Sequence, residues 1–234
     1  MMKMKLRNEL KYHIAYFDYV KLRNILKATM MMDDHSGEEG YFIRSLYFDD
    51  IWDSALYEKN AGVLNRKKFR IRIYNYSDQV IKLERKRKYN QNTNKEDFSL
   101  TRVMFDDIMR GDVGALIGVK DNVANEFFAE YKSKWLRPKV LVDYTREAYI
   151  MKAGNVRITF DKKLSASSNI GEMFADTVGR PMMPDNQLIL EVKYDDFLPE
   201  IIKQLLSNVD KKPLSISKYV MCREALINND WGLK

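Results

Sequence analysis

Apolar and charged residues alternate in segment after segment of this chain, and this pattern constrains the fold more than any other feature. In FRIRIYNYSDQVIKLERKRK, residues 69–88, Arg70 and Arg72 stand between apolar neighbours, and Glu84 stands between two cations of its own strand face. Because successive side chains of a β-strand point to opposite faces, residues two apart share a face. The stretch therefore predicts two strands joined by a polar turn, each with one apolar and one charged face.

The same alternation, with β-branched and aromatic enrichment, predicts roughly nine strands. They lie at about 7–14, 43–49, 68–75, 79–87, 97–101, 139–150, 154–161, 187–195 and 214–220. Helical periodicity predicts helices at 17–29, 52–60, 104–110, 121–134 and 197–209, with Asp18 and Asp121 as N-terminal caps. We therefore expect an α+β fold in a single domain over residues 1–234, with a large antiparallel sheet curled into a barrel and helices packed outside it.

Composition limits the possible partners and sites. No apolar run approaches the roughly 18 residues needed to cross a membrane, and the first residues show no signal peptide, so we expect a cytoplasmic protein. One cysteine, Cys222, and two histidines exclude an internal disulfide and the usual zinc sites, so any metal would be a hard ion held by carboxylates. The formal charge of +7 favours anionic partners such as nucleic acid, nucleotides, phosphates or an acidic membrane surface.

Charged side chains share one face of most predicted strands. These faces carry Arg7, Glu9, Lys11, His13, Arg70, Arg72, Lys82, Glu84, Lys86, Arg157, Glu191 and Lys193, with Arg146 and Lys218 near strand positions. One such face alone is typical of a sheet with a solvent-exposed side. Recurring arginine with single glutamates between cations instead favours faces that meet inside a tunnel.

Cations crowded into a tunnel repel one another and lose hydration, which indicates a bound anion with closely spaced charges. Arginine presents paired donors to phosphate oxygens, and lysine presents a compact charge. The glutamates could hold Mg²⁺ or Mn²⁺ that bridges phosphate oxygens, or they could pair with neighbouring cations. The residues alone therefore indicate a site for phosphates.

Eight short motifs follow one another in the order ELKYHI, IRSLYFDD, KFRIRIY, IKLERKRK, VDYTREAY, VRITFD, LILEVKYD and SKYVMC. From about residue 7 to residue 224, the chain thereby resembles the catalytic domain of the vacuolar transporter chaperone (VTC) polyphosphate polymerases, a branch of the triphosphate tunnel metalloenzymes. The resemblance implies an antiparallel tunnel of about eight strands that binds a nucleotide triphosphate with a divalent metal. It also implies a free-standing bacterial module, without the phosphate-sensing and membrane-spanning domains of eukaryotic members.

The resemblance implies roles for individual residues. Matching the motifs assigns triphosphate contacts to Lys11, Arg70, Arg72, Lys86, Lys95, Arg146, Arg157, Lys193 and Lys218, with Lys218, Arg70 and Arg72 as the catalytic cations. Glu191 matches the metal-binding glutamate, and Glu9 and Glu84 lie where tunnel enzymes often place acidic residues. One position departs from the polymerase pattern, because Ser215 stands where those members carry a lysine.

The leading hypothesis is metal-dependent phosphoryl transfer, with Mn²⁺ or Mg²⁺, from ATP or another nucleoside triphosphate to phosphate, pyrophosphate or a growing polyphosphate chain. The first alternative is a triphosphatase in which water is the acceptor, which Ser215 favours slightly. The second is a non-catalytic module that binds polyphosphate or RNA. Nucleic acid is disfavoured because the aromatics available for base stacking, Tyr74 and Tyr76, suit core or rim positions better.

Overall fold

Strands supply most of the ordered structure in the computed structural model, which describes residues 7–89, 92–207, 212–213 and 217–230. The strands are β1 (Asn8–Ala15), β2 (Met31–Met32), β3 (Tyr41–Asp49), β4 (Asn65–Tyr74), β5 (Ser77–Tyr89), β6 (Asn92–Leu100), β7 (Arg137–Met151), β8 (Val156–Ser167), β9 (Arg180–Pro181), β10 (Gln187–Tyr194) and β11 (Lys212–Pro213). Within the described residues they form one 11-stranded sheet in the order β11-β1-β10-β8-β7-β3-β4-β5-β6, with β2 beside β7 and β9 beside β8.

Over the described ranges, the sheet curls until β1, which is next to the terminal strand β11, approaches the other terminal strand, β6, without closing into a continuous barrel. Every pairing along it is antiparallel. In the described part of the chain, β1 and β6 are joined by a single bridge between Arg7 and Thr93 rather than by a continuous ladder. Glu9 then accepts hydrogen bonds from Thr93 and from Lys86 of β5 (Oε2 to Oγ1, 3.3 Å; Oε2 to Nζ, 3.0 Å). The expected antiparallel tunnel is therefore confirmed, with a seam held largely by side chains.

Of the six helices that the structure describes, the first five agree closely with the periodicity of the sequence. The helices are α1 (Tyr16–Thr29), α2 (Ser54–Asn60), α3 (Arg102–Arg110), α4 (Asn122–Ser133), α5 (Glu200–Ser207) and α6 (Lys218–Asp230). Asp121 caps α4 as predicted, because its carboxylate accepts from the Val123 and Ala124 amides at 2.8 and 3.0 Å. The cap predicted at Asp18 is wrong: α1 begins at Tyr16, and Asp18 lies inside its first turn, where a negative charge still favours the helix dipole.

The strand predicted at 214–220 is also wrong, because α6 begins at Lys218. Seven residues are too few to separate a period of two from a period of 3.6, and the β-branched residues of SISKYV biased the prediction towards a strand. Residues 214–216, and with them Ser215, lie outside the described residues. The single-domain organisation over residues 1–234 stays a prediction.

Two apolar cores cover the outer face of the sheet. Helices α3 and α4 pack on β3, β4 and β5, where Phe127 makes edge contacts with Phe48 and Phe69 at centroid distances of 5.1 and 5.4 Å. Helices α1 and α5 pack on β1, β7, β8 and β10 through residues such as Leu22 and Ile202. Burial of these apolar faces fixes the register, so the charged residues between them face inward. None of the helices in the described ranges has both the length and the apolarity required to cross a bilayer.

A third core lies on the inner face of the sheet and involves α6. Val140 and Val142 of β7 point to the same side as Arg146, and they pack with Tyr219, Val220 and other buried residues of α6. The inner face is therefore divided: one part is charged and open, and the other is apolar and covered by α6. This packing places Lys218, the first residue of α6, at the boundary between the two parts.

Candidate anion-binding cavity

The charged part of the inner face encloses a cavity of about 440 Å³. Among the described residues, fifteen lysines and arginines line this cavity together with two glutamates, so its interior is strongly positive. The lining includes all nine of the predicted triphosphate contacts: Lys11, Arg70, Arg72, Lys86, Lys95, Arg146, Arg157, Lys193 and Lys218. Glu9 and Glu191 are the two lining glutamates, whereas Glu84 is buried behind the cations that it contacts. The structure therefore brings together residues that span more than 200 positions of sequence.

Glu84 fixes the positions of Arg70 and Arg72 of β4. Its carboxylate accepts from Arg70 Nε at 2.6 Å and lies 3.7 Å from Arg72 Nη1. Hydroxyl groups hold the rest of each guanidinium, since Arg70 donates to Tyr47 (2.7 Å) and Arg72 donates to Tyr144 (3.0 Å). Burial alone would raise the pKa of Glu84, but the two arginines and Lys95 hold it well below its usual range.

Glu9 and Glu191 lie among three lysines. Lys11 is 3.4 Å from Glu9 and 3.8 Å from Glu191, and Lys193 contacts both carboxylates. Burial acts to raise the pKa of Glu9, but Lys11 and Lys86 outweigh it and lower the pKa to about 2. The pKa of Glu191 is also well lowered, by Lys193 and Lys11 against the effect of burial. Both carboxylates are therefore ionised at neutral pH.

Asp161 holds two cavity cations at once. Arg146 donates to both of its oxygens, at 2.7 and 2.8 Å, and Lys218 Nζ lies 2.6 Å from Oδ2. The carboxylate is fully buried, which would raise its pKa, but Arg146 and Lys218 lower the pKa to about 2. Asp161 was not among the site residues predicted from the sequence, although it lies in the VRITFD motif and two residues from Thr159 on the charged face.

Arg157 and Lys95 lie towards the edges of the cavity. Arg157 pairs with Asp33 at 2.7 Å and donates to the Tyr41 hydroxyl at 3.2 Å. Lys95 of β6 donates to Glu84 at 3.0 Å while 45% of its side chain stays exposed. Every predicted cation of the cavity thus has a carboxylate partner, which fixes its position before any ligand binds.

Two facing lysines are held in an environment that disfavours their charge. Lys68 of β4 is the cross-strand partner of Lys86 of β5. Burial, together with nearby Arg66, lowers the pKa of Lys68 to about 7. Burial also lowers the pKa of Lys86 to about 7, although Glu9 opposes this shift and 31% of the side chain is exposed to the cavity. An anion placed between them would restore their charge.

Several other residues that line the cavity were not predicted from the sequence. Among the cations are Arg66, Lys68 and Lys88, and among the aromatics are Tyr47 and Tyr144. The alternation that identified Arg70 and Lys86 continues to each of these three cations, so extending it by one or two positions would have found them. Nothing in the local sequence marks Lys59, which reaches the cavity from the end of α2.

A curled antiparallel sheet around a deep, cation-lined cavity places the protein among the tunnel-fold proteins. A family model for the VTC domain matches residues 6–227, and the chain belongs to this family. The family and the tunnel fold expected from the sequence motifs are both confirmed. No curated protein sequence matches the chain.

Solved structures of similar shape include three at low sequence identity. A candidate adenylate cyclase from Bacillus halodurans is 11% identical, with a TM-score of 0.50. The match covers 98% of this chain and 91% of the Bacillus chain. A candidate adenylate cyclase from Vibrio parahaemolyticus is 10% identical, with a TM-score of 0.47. The match covers 92% of this chain and 98% of the Vibrio chain. The mimivirus capping enzyme triphosphatase is 13% identical, with a TM-score of 0.42 and 87% of each chain covered. The likeness to the Bacillus halodurans protein concerns the fold alone.

Proposed function

We propose that the protein binds the triphosphate of a nucleoside triphosphate such as ATP in this cavity. The terminal phosphoryl group is then transferred to an oxygen of phosphate or of the end of a growing polyphosphate chain, and the nucleoside diphosphate leaves. The observation that supports this proposal is that the nine cations matched to the VTC motifs line one cavity. Membership of the VTC family supports phosphoryl transfer on triphosphates as the broader activity.

The arrangement of the cations suits phosphoryl transfer. This reaction depends mainly on positioning and on stabilising charge that spreads over the phosphoryl oxygens. Arg70 and Arg72 are held by Glu84, and Lys218 is held by Asp161, so little reorganisation is needed when the charge develops. In this proposal these three cations contact the transferring group, and the remaining lysines and arginines hold the rest of the triphosphate.

In this proposal a divalent ion binds beside Glu9 and Glu191. Within the described residues, no group of three or more His, Cys, Asp or Glu side chains is placed to hold a metal. Two carboxylates suffice for Mg²⁺ or Mn²⁺ when substrate phosphates complete the coordination, and Glu9 and Glu191 are ionised and share Lys11 as a neighbour. Bound there, the ion would neutralise charge on the phosphate oxygens. Glu84 remains a predicted ligand, but its contacts with Arg70, Arg72 and Lys95 support the alternative role of ion pairing.

The RNA-binding alternative has less support. Tyr76 stacks on Phe42 with 4.1 Å between ring centroids and lies over the Arg44 guanidinium at 5.0 Å. Tyr74 lies beside Tyr41 in the cavity wall, with 6.0 Å between centroids. Both aromatics considered for base stacking are therefore already engaged in contacts within the protein.

The test is to incubate the purified protein with ATP and Mn²⁺ and to resolve the products on a gel. A ladder of polyphosphate is the expected result. Orthophosphate without polymer would overturn polymer synthesis and assign the triphosphatase activity instead. Glu191→Gln keeps the shape of the side chain while removing its charge, so it should abolish metal-dependent turnover and retain binding of tripolyphosphate. Wild-type protein that binds tripolyphosphate but never turns ATP over would be a binding module.

A further inference from the structure

We infer that Lys59, Arg66, Lys68 and Lys88 form a second anion subsite, which receives the phosphates of a linear polyphosphate beyond those held by the predicted triphosphate contacts. This inference rests on the proposed function and adds to it the residues that hold a long chain beyond the triphosphate contacts. We call these four residues the rim cluster.

The rim cluster differs from the other cavity cations in its pairing. Among the described residues that line the cavity, eleven lysines and arginines have a carboxylate partner, whereas the four of the rim cluster form no ion pair. Lys68 instead donates to the Ser217 hydroxyl at 3.1 Å and lies 4.7 Å from the centre of the Tyr219 ring. Arg66 donates to the Val63 carbonyl. Within the described lining of the cavity, the positive charge without a carboxylate partner is therefore concentrated in the rim cluster.

Burial and the crowding of these cations together lower the pKa of the lysines among them. Burial lowers the pKa of Lys59 and of Lys88, and repulsion from Arg66 lowers both further. The pKa of Lys68 falls by the same two causes. Solvated lysines on an open surface would not depress one another in this way. The fold therefore keeps together four cations whose mutual repulsion an anionic ligand would relieve.

The rim cluster continues the line of predicted triphosphate contacts. Arg66 and Lys88 are cross-strand partners on β4 and β5, and Lys68 and Lys86 form the next pair on the same face. Arg70 and Arg72 follow on β4, so cations occupy every second position from 66 to 72. Six residues of extended strand span roughly 20 Å, which is longer than a triphosphate. A chain of more than three phosphates could contact the whole line at once, and Lys59 completes it from α2.

The test compares two ligands by isothermal titration calorimetry. Sodium tripolyphosphate probes the inner contacts, and a long-chain sodium polyphosphate of defined length probes the full line. For Lys59→Ala combined with Lys88→Ala, we expect the Kd for the long chain to rise about tenfold while the Kd for tripolyphosphate changes less than about twofold. The slope of affinity against salt concentration should fall for the long chain only. Lys59→Arg with Lys88→Arg should keep wild-type affinity for both ligands.

A matched control removes two charges elsewhere. Lys27 of α1 and Lys203 of α5 are exposed and lie outside the cavity, so replacing both with alanine tests the effect of net charge alone. An equal loss of long-chain affinity in this control, no loss in the rim variant, or an equal loss for both ligands would each overturn the subsite. Wild-type protein that fails to bind tripolyphosphate would overturn the proposed function as well. Thermal melts of every variant establish that the fold is retained.

Discussion

Asp161 shows at the scale of one residue how the cavity is held in place. Its buried carboxylate joins Arg146 from the neighbouring strand to Lys218 from α6. Neither cation would keep its position without this partner, because buried like charges repel. Asp161 touches no reacting group in the proposed reaction and acts through the cations that it positions.

We predict that Asp161→Asn lowers kcat far more than it raises the KM for ATP. The amide keeps the shape of the side chain, but it leaves Arg146 and Lys218 without their counter-charge. Breaking one side of a buried pair typically destabilises a protein by about 3 kcal/mol, so the free energy of unfolding should fall by about that much in urea titrations. Tripolyphosphate should recover part of this loss, since it supplies negative charge to the same cations.

Asp161→Glu is the matched control, because it retains the charge with one more methylene group. It should keep more of kcat than the asparagine variant does. A kcat that is unchanged in Asp161→Asn would show that Lys218 does not depend on this carboxylate.

At the scale of elements, the paired strands β4 and β5 carry the pH response of the cavity. Lys68 and Lys86 face each other across this pair, and the pKa of each is about 7. Below that pH both side chains are positive and attract phosphate, and above it they lose their charge. Their folded-state pKa lies below the unfolded value, so the unfolded chain binds more protons between about pH 7 and about pH 10, and stability without ligand rises with pH across that window.

We predict opposite trends for binding and for stability between about pH 7 and about pH 9. The affinity for long-chain polyphosphate, which in our inference contacts both lysines, should fall about tenfold or more, because its phosphate groups stay ionised in this range while Lys68 and Lys86 lose their protons. The free energy of unfolding of the ligand-free protein should rise. Calorimetric titrations and urea unfolding at the two pH values measure these changes.

Lys86→Met serves as the comparison for this prediction, since it removes one titrating group and retains its apolar stem. Its affinity should be lower at pH 7 and should depend less on pH. An affinity of the wild-type protein that stays constant over the range would contradict the assigned lysines.

Strand alternation made most of the strands and the inward faces of cations such as Arg70 and Arg157 predictable, whereas the full set of nine cations followed from the resemblance to the VTC motifs. Which face of a strand a residue occupies follows from its position in that strand alone. Arg70 and Arg157 could therefore be placed on the charged face without knowledge of the adjacent strands. Pairing is not local. The contacts of Asp161 and Glu84 depend on which strands lie side by side, and the start of α6 depends on packing against Val140 and Val142. These features could not be read from single segments.

At the scale of the whole molecule, the curled sheet surrounds one cavity with lysines and arginines, whose positive charge exceeds the negative charge of their carboxylate partners. We predict that tripolyphosphate stabilises the protein strongly and that sodium chloride at equal ionic strength does not. A ligand at a hundred times its Kd adds about 2.7 kcal/mol, which corresponds to a rise in Tm of about 5 °C or more for a chain of this size. Differential scanning fluorimetry measures the shift. Equal shifts with both salts would indicate general screening rather than a site.

The position of α6 links the integrity of the carboxyl-terminal segment to the chemistry of the interior. The helix seals the apolar part of the hollow with Tyr219 and Val220, and its first residue supplies Lys218 to the polar part. A backbone cleavage that releases α6 would expose the apolar part of the inner face and remove Lys218 from the cavity at the same time. Loss of α6 therefore removes the apolar cover of the inner face and a cation of the cavity together.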